Sequence, residues 1–258
     1  MKRFFSVLAC LALLLFCAAV GAVFFLPASY LTGPLERLSQ GRVLALNSQG
    51  SLWHGRTRLA LRSGGQTELA RAALLPGELQ WQMAVRDWFP PALEVRFRGE
   101  TLVPQAFALQ PVWSGLRLTP GTVSLPAEVL EAAGAPFNSL KPGGMLFLSW
   151  TEASFQSGQW RTEASLEWLD ARSVLSRVAP LGSYRVQWSV QQSQGQMELS
   201  SQSGPLFLSG KGQWNQGRWK MSGMAQAEPA QREALAPLMT WLGRQQPDGS
   251  VQWNMEQR

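Results

Sequence analysis

Past residue 40 the chain alternates. In Leu79-Gln80-Trp81-Gln82-Met83-Ala84-Val85-Arg86 the odd positions are apolar. Leu93, Val95 and Phe97 alternate with Glu94, Arg96 and Arg98; Trp160, Thr162, Ala164, Leu166 and Trp168 alternate with Arg161, Glu163, Ser165 and Glu167; Tyr184, Val186, Trp188 and Val190 alternate with Arg185, Gln187 and Ser189. A period of two predicts strands with one buried and one wet face. Shorter strands are expected at 43–46, 57–61, 116–118, 146–150, 197–200, 206–209, 218–224 and 251–255. Ser157-Gly158, Gln194-Gly195 and Gln216-Gly217 read as hairpin turns, because glycine supplies the positive φ that tight turns need. Thr119-Pro120-Gly121-Thr122 has the proline and glycine of a type II turn. The fold class is therefore mainly β, an antiparallel meander.

Two stretches depart from alternation. Residues 127–133, rich in Ala, Glu and Leu and followed by Gly134, predict a short helix. Residues 231–242 place Leu235, Leu238, Met239 and Leu242 on one face before Gly243, a stronger helix signal. Both precede a Pro-x-Gly and a Trp-bearing strand. The offset from Pro142 to Pro247 equals that from Gly144 to Gly249, 105 residues, and Trp81 and Trp188 lie 107 apart. These spacings predict two similar halves, 42–150 and 151–258, each with one short helix.

The first forty residues follow another rule. Phe4 to Leu26 carries no charge and a single hydroxyl, Ser6. As a helix this run is about 34 Å long, enough to cross a hydrocarbon core of roughly 30 Å. Lys2 and Arg3 precede it, and the next charges are Glu36 and Arg37. The charge asymmetry predicts a cytoplasmic stub (1–3), a signal-anchor helix (4–26), a linker (27–41) and an extracytoplasmic domain. Val20-Gly21-Ala22 resembles a cleavage site, but Val23-Phe24-Phe25-Leu26 extends the apolar run past it, which favours retention.

Composition removes function classes rather than naming one. The net charge is +6, with 23 Lys+Arg against 17 Asp+Glu. The basic residues are scattered, without the stripe that nucleic-acid binding requires, so no nucleic-acid partner is expected. Cys10 and Cys17 both lie in the apolar run, so the domain has neither disulfides nor thiolate chemistry. His54 is the only histidine. There is no Cys/His metal cluster, no phosphate-binding loop and no dinucleotide fingerprint. The reading is no enzyme, no cofactor and no metal. Most of the 12 tryptophans fall on the apolar side of a strand, where they build core. Trp88-Phe89-Pro90-Pro91 differs: an aromatic loop that serves either a membrane or partner contact, or a buried corner.

Four segments, in order, carry a family resemblance: Gly50-Ser51-Leu52-Trp53-His54-Gly55, Leu75-Pro76-Gly77-Glu78-Leu79-Gln80-Trp81, Pro180-Leu181-Gly182-Ser183-Tyr184-Arg185-Val186 and Gly204-Pro205-Leu206-Phe207-Leu208-Ser209-Gly210. With the anchor and the length they resemble the type II secretion system protein N family. The resemblance implies a non-catalytic accessory subunit. Such a subunit is anchored in the inner membrane, has its bulk in the periplasm, and supports export of folded proteins across the outer membrane. Its implied partners are the inner-membrane platform and the outer-membrane secretin. Gly50, Leu52, Trp53 and Gly55 are the candidate motif, with Trp88 and Phe89 beside it. The motif's local reading is a short strand bracketed by Gly50 and Gly55, with Trp53 facing the core; the competing reading makes Trp53 a docking anchor. Two function classes stand: an adaptor or scaffold of the secretion machine, and a tethered β-trough that handles lipid. A continuous apolar concave face marks the second, and exposed strand edges mark the first.

Overall fold

The computed structural model describes residues 25–62, 73–88, 91–133, 137–215 and 218–257, together with the single positions Leu14 and Gly21. The predicted anchor, 4–26, lies almost wholly outside these. Among the described residues no helix is long and apolar enough to cross a membrane.

All strands join one 17-stranded sheet. In chain order they are β1 (Val43–Gly50), β2 (His54–Leu61), β3 (Ala73–Leu74), β4 (Leu79–Trp88), β5 (Pro91–Arg98), β6 (Phe107–Val112), β7 (Gly115–Leu118), β8 (Gly121–Pro126), β9 (Gly143–Trp150), β10 (Ala153–Gln156), β11 (Gln159–Arg172), β12 (Gly182–Gln192), β13 (Gln194–Ser203), β14 (Leu206–Asn215), β15 (Arg218–Ala227), β16 (Arg244–Gln245) and β17 (Val251–Gln257). The helices are α1 (Thr32–Leu38), α2 (Phe137–Leu140) and α3 (Arg232–Leu242), with 3-10 turns at Ala28–Leu31, Ala127–Ala133 and Pro229–Gln231.

Every pairing is antiparallel, and most strands pair with the strand before and the strand after them in sequence. β7 and β8 form one kinked strand, because β7 pairs with β10 and β8 with β9. β11 then pairs with β9 and β10 along one edge and β12 along the other. From there β12, β13, β14, β15 and β17 follow in order. The result is an open meander with β1 at one edge and β17, touched by the short β16, at the other.

The alternation becomes two faces. Trp81 stands opposite Phe97, Val95 opposite Leu109, Leu146 opposite Trp168, Tyr184 opposite Trp168, and Val251 opposite Ala225. One apolar face thus runs across the sheet. The other face carries Glu94, Arg96, Arg117, Glu167, Arg185 and Lys211. There Glu167 and Arg185 are directly opposed and paired at 2.8 Å. Such half-exposed cross-strand pairs each add a fraction of a kcal/mol, so the core is what stabilises the sheet.

Two of the three core clusters lie at one end of the strands. α3 lays Leu235, Leu238 and Met239, all buried, against Tyr184, Leu206, Ala225 and Val251. Leu102 and Val103, from the loop after β5, pack with Leu75, Phe107 and Val123. The N-terminal turn packs Ala28 and Leu31 over Trp81, Met83 and Val95. Fully burying such side chains contributes about 1.5–3 kcal/mol each.

Several local expectations needed correction. Gly121 does not sit at i+2 of a type II turn; it begins β8, and the Pro-Gly pair kinks a continuous strand instead. Its bare Cα lies under the Trp150 and Phe107 side chains, so glycine is there for space. The β12–β13 turn falls at Gln192-Ser193, with Gln192 at φ 61, and Gln194-Gly195 starts β13. The Gln216-Gly217 turn lies outside the described residues. The short helix expected at 127–133 is present, wound as a 3-10 helix. Alternation gave no warning of β6, β8 and β10, which are short, and β6 and β8 also hold Pro or Gly.

Candidate interaction surfaces

The Gly50–Gly55 motif is a hairpin turn, which corrects the short-strand reading. β1 ends at Gly50 and β2 begins at His54. Gly50 has φ 92, a conformation a side chain resists, and its partner across the hairpin is Gly55. The Ser51 amide donates to the His54 carbonyl at 2.8 Å, and the His54 amide to Ser51 Oγ at 3.2 Å.

This turn is a junction of three elements. Trp81 Nε1–H donates to the Leu52 carbonyl at 3.0 Å, and the Trp81 ring lies on the bare Cα of Gly55. The Met83 amide donates to the Trp53 carbonyl at 2.7 Å, and the Leu52 amide to the Leu26 carbonyl at 2.8 Å. Pro27 bridges to Ser51. The backbone of the motif therefore locks β4 and the N-terminal segment to the first hairpin, and Trp53 itself is half-buried. Trp88 is the last residue of β4, paired with Pro91 at the same end of the sheet; Phe89 lies outside the described residues.

The same device recurs twice. Gly121 is opposite Trp150, whose Nε1–H donates to the Thr119 carbonyl at 2.9 Å. Gly223 is opposite Trp253, whose ring also reaches Gly210. A large aromatic lying over a bare strand position restores the burial that glycine forfeits.

Two recesses lie on opposite faces of the sheet, a polar one on β9 and β11–β14 and an apolar one on β12–β15. The polar one, about 640 Å³, is lined by Glu163, Gln187, Gln196, Glu198, Lys211 and Gln213. Its mixed charges select no ligand class. The apolar one, about 450 Å³, is lined by Trp188, Val190, Met197, Trp214, Trp219 and Met221. It occupies the part of the apolar face that α3 does not cover.

Buried polar groups are structural in character. Glu94 accepts from Gln110 Nε2 at 2.7 Å and pairs with Arg96. Burial alone would raise its pKa, but these bonds and the charges of Arg96 and Arg86 together hold it below the ordinary glutamate value. Tyr184 donates to the Leu206 carbonyl at 3.0 Å, and burial pushes its phenol above the ordinary tyrosine value, so it is neutral. Lone His54 is exposed at the first turn, and among the described residues no group of three metal-ligating side chains gathers.

The type II secretion system protein N profile matches residues 42–254, which begins at the β1 hairpin and ends inside β17. The chain belongs to the type II secretion system protein N family. As a member of the protein N family it is an accessory secretion-system subunit, associated with a membrane-bound export machine. The family match covers both helix-capped cores and all three Gly–Trp pairs. No curated relative and no solved structure matches the chain at a significant level.

Proposed function

We propose that the chain is a non-catalytic adaptor, held at the periplasmic face of the inner membrane by residues 4–26. In this role it binds platform or secretin subunits of the type II machine. The observation that carries the reading is the edge of β17. Val251 and Gln252 pair with β16, but Trp253–Gln257 pair with β15 alone among the described residues. The opposite edge is blunted: Ser39 Oγ accepts from the Val43 amide at 3.1 Å, and β1 bulges between Leu46 and Gln49. An unblunted edge strand receives a partner strand through its main chain. Tethering beside other anchored subunits raises its effective concentration for them.

The test is a photo-crosslinking residue at the exposed Asn254, read in secreting cells. Adducts with another secretion subunit, weaker with the same probe at exposed Asn47 on β1, are expected. Adducts with lipid only would reject the adaptor. They would promote the second reading, a lipid-handling trough, which the uncovered apolar recess beside Trp188 and Trp214 favours.

The halves 42–150 and 151–258 are, in our reading, two copies of one unit. Supporting this, β4–β5–β6–β7/β8, a helical turn and β9 follow the same order as β12–β13–β14–β15, α3 and β17. The Gly121–Trp150 pair occupies the place in the first that Gly223–Trp253 occupies in the second.

A further inference from the structure

The turns of this meander divide between two ends, and the ends are built differently. At one end lie α3, the 3-10 turn 127–133 and the loop bearing Leu102 and Val103, which close the core. At the other end the described connections are tight turns, the N-terminal 3-10 turn packs on Trp81, and aromatic residues gather there. The ladder fixes which turns share that end. The Ser157 amide donates to the Ser114 carbonyl at 3.2 Å, which sets the β10–β11 turn beside the β6–β7 turn. Trp160 pairs with Gln192 and Gly195 with Trp214, which adds the β12–β13 and β14–β15 turns. His54 opposite Gln82, and Trp88 opposite Pro91, add the β1–β2 and β4–β5 turns.

Six of the 12 tryptophans of the chain stand at or beside these turns: Trp53, Trp88, Trp113, Trp160, Trp214 and Trp219. Three are strongly exposed, Trp113 at 106%, Trp214 at 54% and Trp160 at 43%. Core formation does not account for them. The apolar recess of about 450 Å³ lies against this end, with Trp214 and Trp219 in its wall. Arg161, Arg218 and Lys220 sit among these tryptophans, with Glu256 opposite Lys220.

A second, independent observation says what lies against this end. The N-terminal segment joins the domain here: Leu26 accepts from Leu52, and Pro27 bridges to Ser51, in the first of these turns. The uncharged run that ends at Leu26 is the predicted membrane span, so the tether leaves the domain from the tryptophan-bearing end. Indole rings prefer the headgroup layer, where the ring meets acyl carbon and the N–H meets water. Lysine and arginine near that layer are attracted to anionic lipid. The six turns follow one another along the sheet over roughly 50 Å, at one strand spacing per strand.

We propose that this rim is a bilayer-contact surface: the sheet stands on the periplasmic leaflet with Trp113, Trp160 and Trp214 in the headgroup layer of a phospholipid membrane containing anionic lipid. The helix-capped end then points away from the membrane. This rests on the anchor in the proposed function and is independent of which secretion subunit is bound.

The full chain with Cys10→Ser and Cys17→Ser, bearing one cysteine as Trp113→Cys, Trp214→Cys or Gln202→Cys, is labelled with an environment-sensitive fluorophore. It is then reconstituted into phosphatidylethanolamine–phosphatidylglycerol vesicles carrying headgroup-depth nitroxide lipids. Gln202 is exposed beside the β13–β14 turn, at the far end. Flotation with the vesicles reads the anchor; quenching reads the rim. Several-fold stronger quenching at 113 and 214 than at 202, with blue-shifted emission, is expected. Flotation with equal quenching at all three positions overturns the rim and leaves the anchor standing. Failure to float overturns both.

Discussion

Replacing Gly55 by alanine tests how the first hairpin is locked to β4. Gly55 is opposite Trp81, and a methyl group on it would lie 2.7 Å from indole Cε2 and Cη2, and closer still to Cζ2. Real side chains do not approach that closely, so the ring must move. Trp81 is only 7% exposed, and its Nε1–H is held by the Leu52 carbonyl at 3.0 Å. Displacement therefore strains the packing against Val95 and also loses that bond. Overpacking costs about 1–3 kcal/mol. A hydrogen bond lost in a partly buried place adds about 1 kcal/mol. Gly55→Ala should then destabilise by about 2–4 kcal/mol, a fall in Tm on the order of 5–15 °C for a domain of this size. Trp81→Ala alone should cost about 3–5 kcal/mol by truncation of a buried aromatic. In the double variant the methyl meets no ring, so the combined loss should equal that of Trp81→Ala, a coupling of about 2 kcal/mol or more. Urea and thermal unfolding of the detergent-solubilised chain, followed by far-ultraviolet circular dichroism, measure all three. A Gly55→Ala variant within about 0.5 kcal/mol of the parent, or purely additive losses, would refute the stacking argument.

Two further substitutions probe the buried polar groups, alongside the crosslinking and quenching experiments above. Glu94 has a folded pKa below its unfolded value, so its contribution is present above the unfolded pKa and lost as pH falls through the folded one. Glu94→Gln should destabilise at pH 7 and flatten the stability–pH curve below about pH 4; an unchanged acid slope counts against the network with Arg96 and Gln110. Tyr184→Phe removes the hydroxyl that donates to the Leu206 carbonyl and should cost about 1–2 kcal/mol. Because the phenol's pKa is raised on folding, its stabilisation is present below the unfolded pKa and lost only as pH rises through the folded one, so this cost should not change between pH 6 and 9.

The strands, their faces and α3 were legible in the chain because those signals are local. Period-two alternation in 79–86, 160–168 and 184–190 fixes which side chains share a face before any partner strand is known. Leu235, Leu238 and Met239 mark α3 in the same way, because helical spacing gathers them within one segment. The motif Gly50–Gly55 was found as a pattern but misread as a strand. What makes it a turn is the positive φ at Gly50 and the pairing of Gly50 with Gly55, and a side-chain pattern does not encode a backbone dihedral. Pairing register also lies beyond the sequence. That Gly55 makes room for Trp81, Gly121 for Trp150 and Gly223 for Trp253 depends on strands 26 to 30 residues apart meeting in one alignment. The same holds for the tryptophan rim. Trp53, Trp113, Trp160 and Trp214 are dispersed along the chain, and only the back-and-forth course of the meander returns their turns to one end, where Leu26 joins the domain. Sequence sets the character of each strand; the non-local ladder decides which residues stand together and toward which surface they point.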